Sequence, residues 1–487
     1  MTEYILSIDQ STSCTKAMLF DREGQLAARE DLPHRQIVNE KGWVEHDSQE
    51  IYRNTIAVVR KLLESSRIDP AAIKAAGISN QRETSLVWDR ETGEPYYNAI
   101  VWQCGRAVGI CNALEPYKDE VKAATGMNLS PYFSAAKLAW VLQNVPGIDR
   151  ERAVCSTIDS YLVYRLSGGK VVKTDYSNAC RTQLLNIRSL DWDEHMLELF
   201  GLSRSMMPEV ADSDSLFCET DFEGLLPRPV PLHGVLGDSQ AALFAQGCLE
   251  EGMVKATYGT GSSVMMNTGE AICGSQSLVT SIAWKIGGRL NYVLEGNINY
   301  SGALTKWLVD DLRLISSSKE AGKIAAEAKE LPPKFFIIPA FSGLGAPYWS
   351  QEARAMVCGM DRTVGKAEFV RATEEAIALQ INDVLMLMQE DTGKKITSLR
   401  TDGGPSNDSF LMQAQSDFSD VPVRVAKIEE LSGLGAAYAA GLGIGFYTLE
   451  QIAASPAKKL YEPVMGKEAR ERKREGWKNA VSCALSY

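Results

Sequence analysis

Short apolar stretches rich in β-branched residues open the chain and predict a strand, a tight turn and a second strand. YILSID (4–9) and KAMLFD (16–21) flank the polar turn QSTSCT, and REGQLAARE continues as a hairpin. Apolar residues then recur at helical spacing, which predicts a helix over about 47–66 with Asp47 as its N-cap. The next apolar run, AIKAAGIS, predicts a buried strand that ends at NQRE.

A similar succession of patterns recurs in the second half of the chain. GMVKATYGTGSSVMMNTG predicts strand, glycine turn and strand, and SIAWKIGGRLNYVLEG predicts a hairpin. SLRTDGGPSNDSFLMQAQSD predicts strand, glycine turn and helix, as PLHGVLGDSQAALFAQG does in the first half. This repetition predicts an internal duplication with a central cleft and a boundary near 246–254, giving domains 1–248 and 249–487. The final GKEARERKREGWKNAVSCAL predicts an amphipathic helix with a solvated face.

Length and charge narrow the classes of protein. The chain has 487 residues, 45% hydrophobic and 23% charged, which is typical of a globular protein with more than one domain. Its net charge of −11 argues against nucleic acid or an anionic membrane as a partner. No apolar run approaches the roughly 18 residues of a membrane span, and no signal peptide is expected.

Cysteine and histidine usage points to a reducing compartment. The ten cysteines include no CxxC pair, and the four histidines are scattered. We therefore expect reduced thiols, a cytoplasmic protein and no cysteine or histidine metal cluster. We also expect a homodimer.

The stretch ISNQRET (78–84) places an amide pair and two opposite charges at the end of a predicted buried strand. For an isolated pair, a solvated turn that exposes Arg82 and Glu83 would be the more common explanation. The choice depends on the remaining polar loops.

Three of these loops have the composition of phosphate-binding turns. DQSTSCTK (9–16) is small and rich in hydroxyls, Lys16 can add charge, and Asp9 can hold Mg²⁺ through water. YGTGS (258–262) and DGGPSND (402–408) are loops of the same kind. DQSTSCTK does not have the GxxxxGK[ST] pattern of a P-loop, which excludes a P-loop NTPase at this position. Asp238 follows a strand and opens a helix, so it is either a general base or a helix N-cap.

Segments along nearly the whole chain resemble those of a known family. The chain resembles the FGGY carbohydrate kinases, and within them the glycerol kinases, over nearly its whole length. Tyr132 to Asn144 fits the first family signature, and Gly359 to Glu375 fits the second except that Glu374 stands where an apolar residue is usual. The similar segments are GWVEHD, ISNQRETSLVWDRETGEPYYNAIVWQC, PYFSAAKLAWVL, TDYSNACRTQLLNI, LDWDEHMLELF, GDSQAALFAQG, YGTG, PAFSGLGAPYW, DGGPSNDSFLMQ and LGAAYAAGL.

The resemblance implies an α/β fold of two actin-like ATPase (ribonuclease H-like) domains with a central cleft. It also implies ATP, Mg²⁺ and phosphoryl transfer to a terminal hydroxyl of a small polyol or sugar, as in the conversion of glycerol to glycerol 3-phosphate. Such chemistry depends on positioning and charge neutralisation.

The resemblance also assigns residues. Arg82 and Glu83 become clamps on adjacent hydroxyls, Trp102 and Tyr132 further contacts with the polyol, and Asp238 the catalytic base. It places Thr12, Ser13 and Cys14 in the first phosphate loop, where the loop composition already predicts Lys16 as a phosphate contact and Asp9 as the metal residue. Nucleotide contacts fall on Thr260, Gly302, Lys306, Gly404 and Asp408, of which Lys306 and Asp408 replace a Gln and an Asn.

Two departures fall in the expected polyol pocket. Ser239 stands where glycerol kinases have Gln, and Ser263 replaces a Phe that packs against glycerol. Either neighbouring side chains refill the space and glycerol is the substrate, or the pocket takes a larger compound such as erythritol, erythrulose, ribulose or xylulose. A non-metabolic actin-like ATPase is the rival from another class, although it would have no use for the NQRE clamp.

Overall fold

The computed structural model describes residues 2–486 and divides the chain into two compact units. The first unit comprises residues 1–247, 280–292 and 430–454, and the second comprises residues 248–279, 293–429 and 455–487. The second unit thus begins where the sequence pattern changes, at Cys248, but two later segments return to the first unit. The sequence predicts two continuous domains that meet at 248/249, without these two returning segments.

The strands and helices up to residue 247 alternate in the manner of an α/β protein. They are β1 Tyr4–Gln10, β2 Cys14–Phe20, β3 Leu26–Pro33, β4 Ile37–Val38, β5 Val44–His46, α1 Ser48–Ser66, β6 Ile73–Asn80, β7 Ser85–Asp89, β8 Ala99–Ile100, α2 Val108–Ala113, α3 Lys118–Thr125, α4 Ser134–Asn144, β9 Ala153–Thr157, α5 Ile158–Leu166, β10 Lys173–Asp175, α6 Tyr176–Ala179, β11 Leu185–Asn186, β12 Asp191–Trp192, α7 Glu194–Phe200, β13 Glu209–Ala211, β14 Cys218–Thr220, β15 Val230–Gly237 and α8 Asp238–Ala245.

The remaining elements repeat that alternation. They are β16 Val254–Tyr258, β17 Ser262–Gly269, β18 Val279–Ile286, β19 Arg289–Ile298, α9 Gly302–Asp310, α10 Ala321–Glu327, β20 Phe336–Ile338, β21 Met356–Cys358, α11 Lys366–Thr392, β22 Leu399–Asp402, α12 Ser409–Ser419, β23 Val423–Ala426, α13 Leu431–Gly443, α14 Leu449–Ala453, β24 Ala457–Tyr461 and α15 Lys467–Ser486.

The main sheet of the first unit has the order β14-β15-β6-β1-β2-β3. Its three central strands, β15, β6 and β1, are parallel, whereas β2, β3 and β14 are antiparallel to their neighbours. The central strands are nearly continuous apolar runs because both faces are covered, and β1 is buried from Ile5 onward. Their carboxyl ends therefore meet at one edge of the sheet.

Helix α13 packs on this sheet although it lies late in the chain. Glycines permit the close approach: a Cβ at Gly77 would lie 2.4 Å from the carbonyl oxygen of Ala436, and one at Gly435 would lie 2.0 Å from that of Ala241. Ser7 Oγ also donates to the carbonyl oxygen of Gly433 at 2.7 Å. These contacts explain why residues 430–454 group with the first unit.

The second unit repeats the strand scheme. Within this unit the strands have the order β17-β16-β22-β23-β24, with β16, β22 and β23 parallel and β17 antiparallel to β16. Helix α11 supplies Ile377, Ile381 and Val384 to the apolar core, and α15 adds Trp477. The solvated helix predicted at the C-terminus is therefore anchored by one buried face.

Local sequence signals predict the main elements well. The first three strands, the strand before NQRE and the strand–turn–helix around residue 402 are confirmed. Helix α1 begins after Asp47, whose carboxylate accepts from the backbone N–H of Gln49 at 2.8 Å, so the predicted N-cap is also confirmed. Among the helices of residues 2–486, none has the length and apolar character needed to cross a membrane.

Candidate active site

The carboxyl ends of the parallel strands in the first unit bring two predicted loops together. In the register of the sheet, Asp9 lies beside Ser79 on β6, and Asn80 lies beside Gly237 on β15. The loop after β6 therefore starts next to both Asp9 and Asp238. Ligands of open α/β sheets bind outside the carboxyl ends of such strands.

Arg82 and Asp238 are in direct contact at this edge. Arg82 Nε lies 3.2 Å from Asp238 Oδ1, and the arginine side chain is 7% exposed while the aspartate side chain is 37% exposed. Gly237 makes room for the arginine, since a Cβ there would lie 2.7 Å from Arg82 Cγ. The N-cap of α8 is Gly237, and Asp238 is its first residue, so the alternative of an N-cap at Asp238 is wrong. Its carboxylate instead remains open to solvent on one side.

Glu83 is buried and paired with an arginine that the sequence analysis did not single out. Glu83 Oε1 accepts from Arg181 Nε at 2.5 Å, and the two side chains are 2% and 1% exposed. The backbone of Glu83 has φ +60°, an uncommon conformation for this residue type, and its carbonyl oxygen accepts from Ser85 Oγ and Ser134 Oγ. The alternative of a solvated turn is thus wrong for this pair. Arg181 lies within NACRTQLLNI, where the lone charge of the segment was the available signal.

Two aromatic residues form a wall beside these charges. The rings of Trp102 and Tyr132 meet edge to face with centroids 5.5 Å apart. Trp102 Nε1 donates to Thr12 Oγ1 at 3.0 Å, and the Trp102 backbone N–H donates to Thr84 Oγ1 at 3.3 Å. Trp102 therefore connects the first serine-rich loop, through its indole, to the loop after β6, through its backbone.

Lys137 stabilises the backbone of the segment that carries Tyr132. Its ammonium group is completely buried on α4 and donates to the carbonyl oxygens of Pro131, Tyr132 and Phe133, with 3.1 Å to Pro131 and 2.8 Å to Phe133. Burial lowers the pKa of Lys137 to about 7, and the nearby Glu83 carboxylate opposes that fall. The sequence analysis assigned Lys137 no role, although it lies within the first family signature.

The loop between β1 and β2 is a compact turn. The Ser11 backbone N–H and hydroxyl both donate to the carbonyl oxygen of Cys14 at 2.9 Å. His34 holds the other side, since its backbone N–H donates to Ser13 and its Nε2 lies 2.9 Å from the carbonyl oxygen of Thr12. This turn is built in the manner that the sequence predicts, with small residues around one concavity.

Acidic groups surround Lys16 at the base of that turn. Lys16 Nζ lies 3.3 Å from Asp9 Oδ2 and 2.7 Å from Glu430 Oε2. Burial raises the pKa of Asp9, the Lys16 ammonium opposes this rise, and the neighbouring carboxylates of Asp238 and Glu430 add to it. A buried carboxylate near other acids favours a cation in its vicinity. Within residues 2–486, no group of three or more His, Cys, Asp or Glu side chains could by itself hold a metal ion.

The other predicted loops come together in the second unit. The backbone N–H of Gly302 donates to the carbonyl oxygen of Gly259 at 2.9 Å, and a Cβ at Gly302 would lie 2.6 Å from that oxygen. Gly403 has φ +88°, and a Cβ there would lie 2.0 Å from the carbonyl oxygen of Tyr258. The turn from Gly404 to Asn407 is thereby packed against the strand that ends in the YGTG loop. No larger residue fits these two contacts without movement.

A cavity of about 1170 Å³ opens between these loops and α9. This volume is ample for a nucleotide. The hydroxyl oxygens of Ser262 and Ser301, which flank the loops, are buried without a hydrogen-bond partner among the described residues. Glycines at the wall of the cavity fit a phosphate-bearing ligand, because they let the backbone approach it closely. The lining residues include Gly259, Thr260, Tyr300, Gly302, Thr305, Lys306, Trp307, Asp310, Asp311, Lys319, Phe341, Glu374, Gly404 and Asp408.

Two predicted nucleotide residues differ in their surroundings. Lys306 is 73% exposed at its side chain and lies 3.7 Å from Asp310 Oδ2, so its ammonium can reach a ligand in solvent. Asp408 is the N-cap of α12: its Oδ1 accepts from the backbone N–H groups of Phe410 and Leu411, and its Oδ2 accepts from that of Gly322 at 2.8 Å. Asp408 therefore shapes the cavity wall through the backbone.

The two serines of the predicted polyol pocket lie in different units. Ser239 follows Asp238 on α8, and its backbone N–H donates to Asp238 Oδ1 at 2.6 Å. Ser263 lies on β17 of the second unit, paired with Thr257, and its hydroxyl oxygen has no hydrogen-bond partner within residues 2–486.

Comparison with known proteins agrees with this geometry. Residues 4–245 match the N-terminal domain and residues 254–444 the C-terminal domain of the FGGY family of carbohydrate kinases. The chain is 43% identical to a glycerol kinase of Bacillus licheniformis, with 100% of both chains covered. It is 45% identical to glycerol kinase 1 of Thermotoga maritima, covering 99% of this chain and 100% of that protein.

A solved structure has the same fold over the whole chain. The crystal structure of Plasmodium falciparum glycerol kinase with ADP is 34% identical and superposes with a TM-score of 0.94, covering 99% of this chain and 98% of that one. The protein therefore has the two-domain α/β architecture of actin-like ATPases that the sequence predicts. It belongs to the FGGY family of carbohydrate kinases and is an ATP-dependent kinase.

Proposed function

We propose that this kinase transfers a phosphoryl group from ATP to a terminal hydroxyl of a small polyol, with glycerol as its principal acceptor. The observation that carries the proposal is the group formed by Arg82, Glu83 and Asp238 at the carboxyl ends of β6 and β15. The glycerol kinases at 43% and 45% identity support the choice of acceptor.

The roles of the first unit follow from charge and position. Arg82 and Glu83 hydrogen-bond adjacent hydroxyls of the acceptor. Trp102 and Tyr132 pack against its carbon backbone. Asp238 takes the proton of the reacting hydroxyl, whose oxygen forms the new bond to the γ-phosphorus as the bond to ADP breaks. Contact with Arg82 holds the carboxylate of Asp238 in place for this step.

Each unit carries one set of the proposed nucleotide contacts. Thr12, Ser13, Cys14 and Lys16 supply hydroxyl, backbone and ammonium groups from the first loop. In the second unit, the contacts come from Thr260, Gly302, Lys306, Gly404 and the turn capped by Asp408. Mg²⁺ would neutralise charge on the phosphates, and Asp9 suits its coordination through water.

A larger polyol or a ketose is a second candidate acceptor, and Ser239 and Ser263 favour it. Both replace bulkier side chains of the glycerol kinases, so a three-carbon acceptor would leave space unfilled unless neighbours close it. Localisation in the cytoplasm and a homodimeric state stay predictions from the sequence.

The test is an ATP-consumption assay with Mg²⁺ against glycerol, erythritol, erythrulose, ribulose and xylulose. We expect glycerol to give the highest kcat/KM. A four- or five-carbon compound with the highest kcat/KM would establish the second candidate instead. ATP turnover that no polyol or ketose increases would contradict both and favour an ATPase without an acceptor.

A further inference from the structure

Glu374 is a buried acid in the wall of the second unit's cavity. It lies on α11 and is 2% exposed. The other charged lining residues within residues 2–486 lie nearer to solvent: Lys306, Asp310, Asp311 and Lys319 are exposed, and Asp408 is half-buried. Glu374 thus places a buried carboxyl group in the wall of this cavity.

The carboxyl group of Glu374 is hydrogen-bonded to a residue of α9. Thr305 Oγ1 donates to Glu374 Oε1 at 3.0 Å. Burial raises the pKa of Glu374 to about 8, and the charge of Asp408 adds to this rise. On its own helix, Arg371 and Glu375 pair with each other at 2.8 Å. At neutral pH the group is mainly the uncharged acid, with one O–H donor and an acceptor oxygen.

Aromatic rings line the cavity as well. The rings of Trp307 and Phe341 meet edge to face with centroids 5.0 Å apart, and those of Tyr300 and Phe341 lie 5.2 Å apart. Flat rings pack well against a nucleobase, but they discriminate little among bases, because each base has a similar π-face. Discrimination needs a hydrogen-bonding group, and buried polar groups of this kind are the strongest discriminators.

We propose that Glu374 selects the base of the bound nucleotide and favours adenine, by presenting a carboxyl group inside a cavity lined by aromatic rings. The proposal rests on the proposed nucleotide site. In adenine, the 6-amino donor lies beside a ring-nitrogen acceptor, and a carboxamide pairs with both. An uncharged carboxyl group has the same donor and acceptor. Guanine places two acceptors, O6 and N7, on the corresponding edge, so one of them would meet an acceptor oxygen.

The ionised form of Glu374 cannot make both bonds. A carboxylate only accepts, so it keeps the bond from the 6-amino group and loses the bond to the ring nitrogen. Selectivity for adenine should therefore be greatest below the pKa of Glu374 and should decline as the pH rises through it. The usual residue at this position in the family is apolar, so a leucine there removes the selecting group without a large change in volume.

The experiment measures nucleotide binding by calorimetry on the full chain without an acceptor. MgADP and MgGDP are titrated at about pH 7 and about pH 9, on either side of the Glu374 pKa. In the wild type we expect MgADP to bind at least about tenfold more tightly than MgGDP at the lower pH, which is the discrimination of one buried hydrogen bond. This ratio should fall several-fold at the higher pH.

Three variants separate the causes. Glu374→Gln keeps a donor and an acceptor, so it should retain the preference for ADP and lose its pH dependence. Glu374→Leu should bring the ADP to GDP ratio to within about twofold of unity, since it removes both groups. Glu390→Gln, at an exposed position on the same helix, is the matched control and should behave as the wild type.

A wild-type ratio in Glu374→Leu would overturn the role of Glu374 while leaving the nucleotide site intact. If that variant does not fold, a wild-type pH dependence in Glu374→Gln would overturn it equally. Absence of binding of either nucleotide to the wild type would overturn the nucleotide site itself.

Discussion

Arg181 Nε lies 2.5 Å from Glu83 Oε1, and 98 residues separate this pair in the chain. The pair is buried, so Arg181 compensates the charge of Glu83 and orients it. A buried carboxylate without such a partner would be costly. Arg181 is therefore a positioning residue for the proposed polyol clamp.

Replacement of Arg181 by lysine should weaken the acceptor site. Lysine keeps the charge but lacks the planar guanidinium that hydrogen-bonds the Glu83 carboxylate. Burial also disfavours the charged form of a lysine at this position. We expect the KM for the acceptor to rise about 10–100-fold, equivalent to roughly 1–3 kcal/mol, with a smaller fall in kcat. Steady-state kinetics and calorimetric binding of the acceptor measure this.

The matched control is Arg204→Lys, at an exposed pair with Asp191. Exposed ion pairs contribute little, so this variant should keep the wild-type KM. An equal change of KM in both variants would count against the role of Arg181.

Replacement of Asp238 by asparagine should abolish most of the phosphoryl transfer. The amide cannot take the proton of the hydroxyl, so kcat should fall about 10²–10⁴-fold. The amide oxygen can still accept from Arg82, so acceptor binding measured by calorimetry should change little. Asp119→Asn, at an exposed position on α3, is the control with wild-type kcat. A loss of acceptor binding equal to the loss of kcat would assign Asp238 to binding alone.

Lys137 should control the acceptor site through the loop that carries Tyr132. Lys137→Met removes the donor to three carbonyl oxygens, so we expect the acceptor KM to rise about tenfold while MgADP binding stays unchanged. Lys118→Met, at an exposed lysine, is the matched control. A wild-type KM in Lys137→Met would show that the conformation of this loop does not depend on the hydrogen bonds from Lys137.

The same lysine predicts a pH dependence. The pKa of Lys137 is lowered to about 7, so the ammonium group prevails below this pH and the amine above it. An amine has two N–H donors for three carbonyls, so the acceptor KM should rise as the pH increases through about 7. A pH profile of KM measures this, and the Lys137→Met profile should be flat over that window.

His46 should make the protein less stable in acid. His46 is completely buried, and burial lowers its pKa to about 4, with the nearby His34 contributing. Its unfolded-state pKa is about 6.5, so the unfolded chain binds more protons between these values and stability falls as the pH decreases. The loss should reach about 3 kcal/mol at the acid end of the window.

Urea unfolding at a series of pH values checks this contribution. His46→Gln should flatten the curve over the window, whereas the exposed His195→Gln should leave it unchanged. Curves for His46→Gln and wild type that run parallel from about pH 6.5 to 4 would refute the prediction.

Restoration of the usual residues at Ser239 and Ser263 should move the acceptor preference toward glycerol. Ser239→Gln with Ser263→Phe fills space that a larger polyol would need, so kcat/KM for erythritol or a ketose should fall relative to glycerol by about tenfold or more. Kinetics of the single and double variants on the same compounds give the ratio. An unchanged ratio would mean that these positions do not set acceptor size.

Much of the protein could be predicted from local sequence patterns. The first strands, helix α1 with Asp47 as its cap and the glycine loops depend on residues that are close in the chain. The segments that carry the resemblance likewise give the family, because long ordered matches need no coordinates. These signals are all local in the sequence, because each element is determined by residues within one or two neighbouring turns or strands.

Contacts between distant residues were decided only by tertiary structure. The pairing of Glu83 with Arg181, the cradle of carbonyls around Lys137 and the burial of Glu374 depend on which elements pack together. The return of α13 to the first unit depends on glycines that permit close backbone contact across hundreds of residues. Sequence alone determined the elements, the family and the polar loops. The partners of the buried charges were set by packing, because the cost of an unpaired buried charge is decided by whatever the fold places beside it.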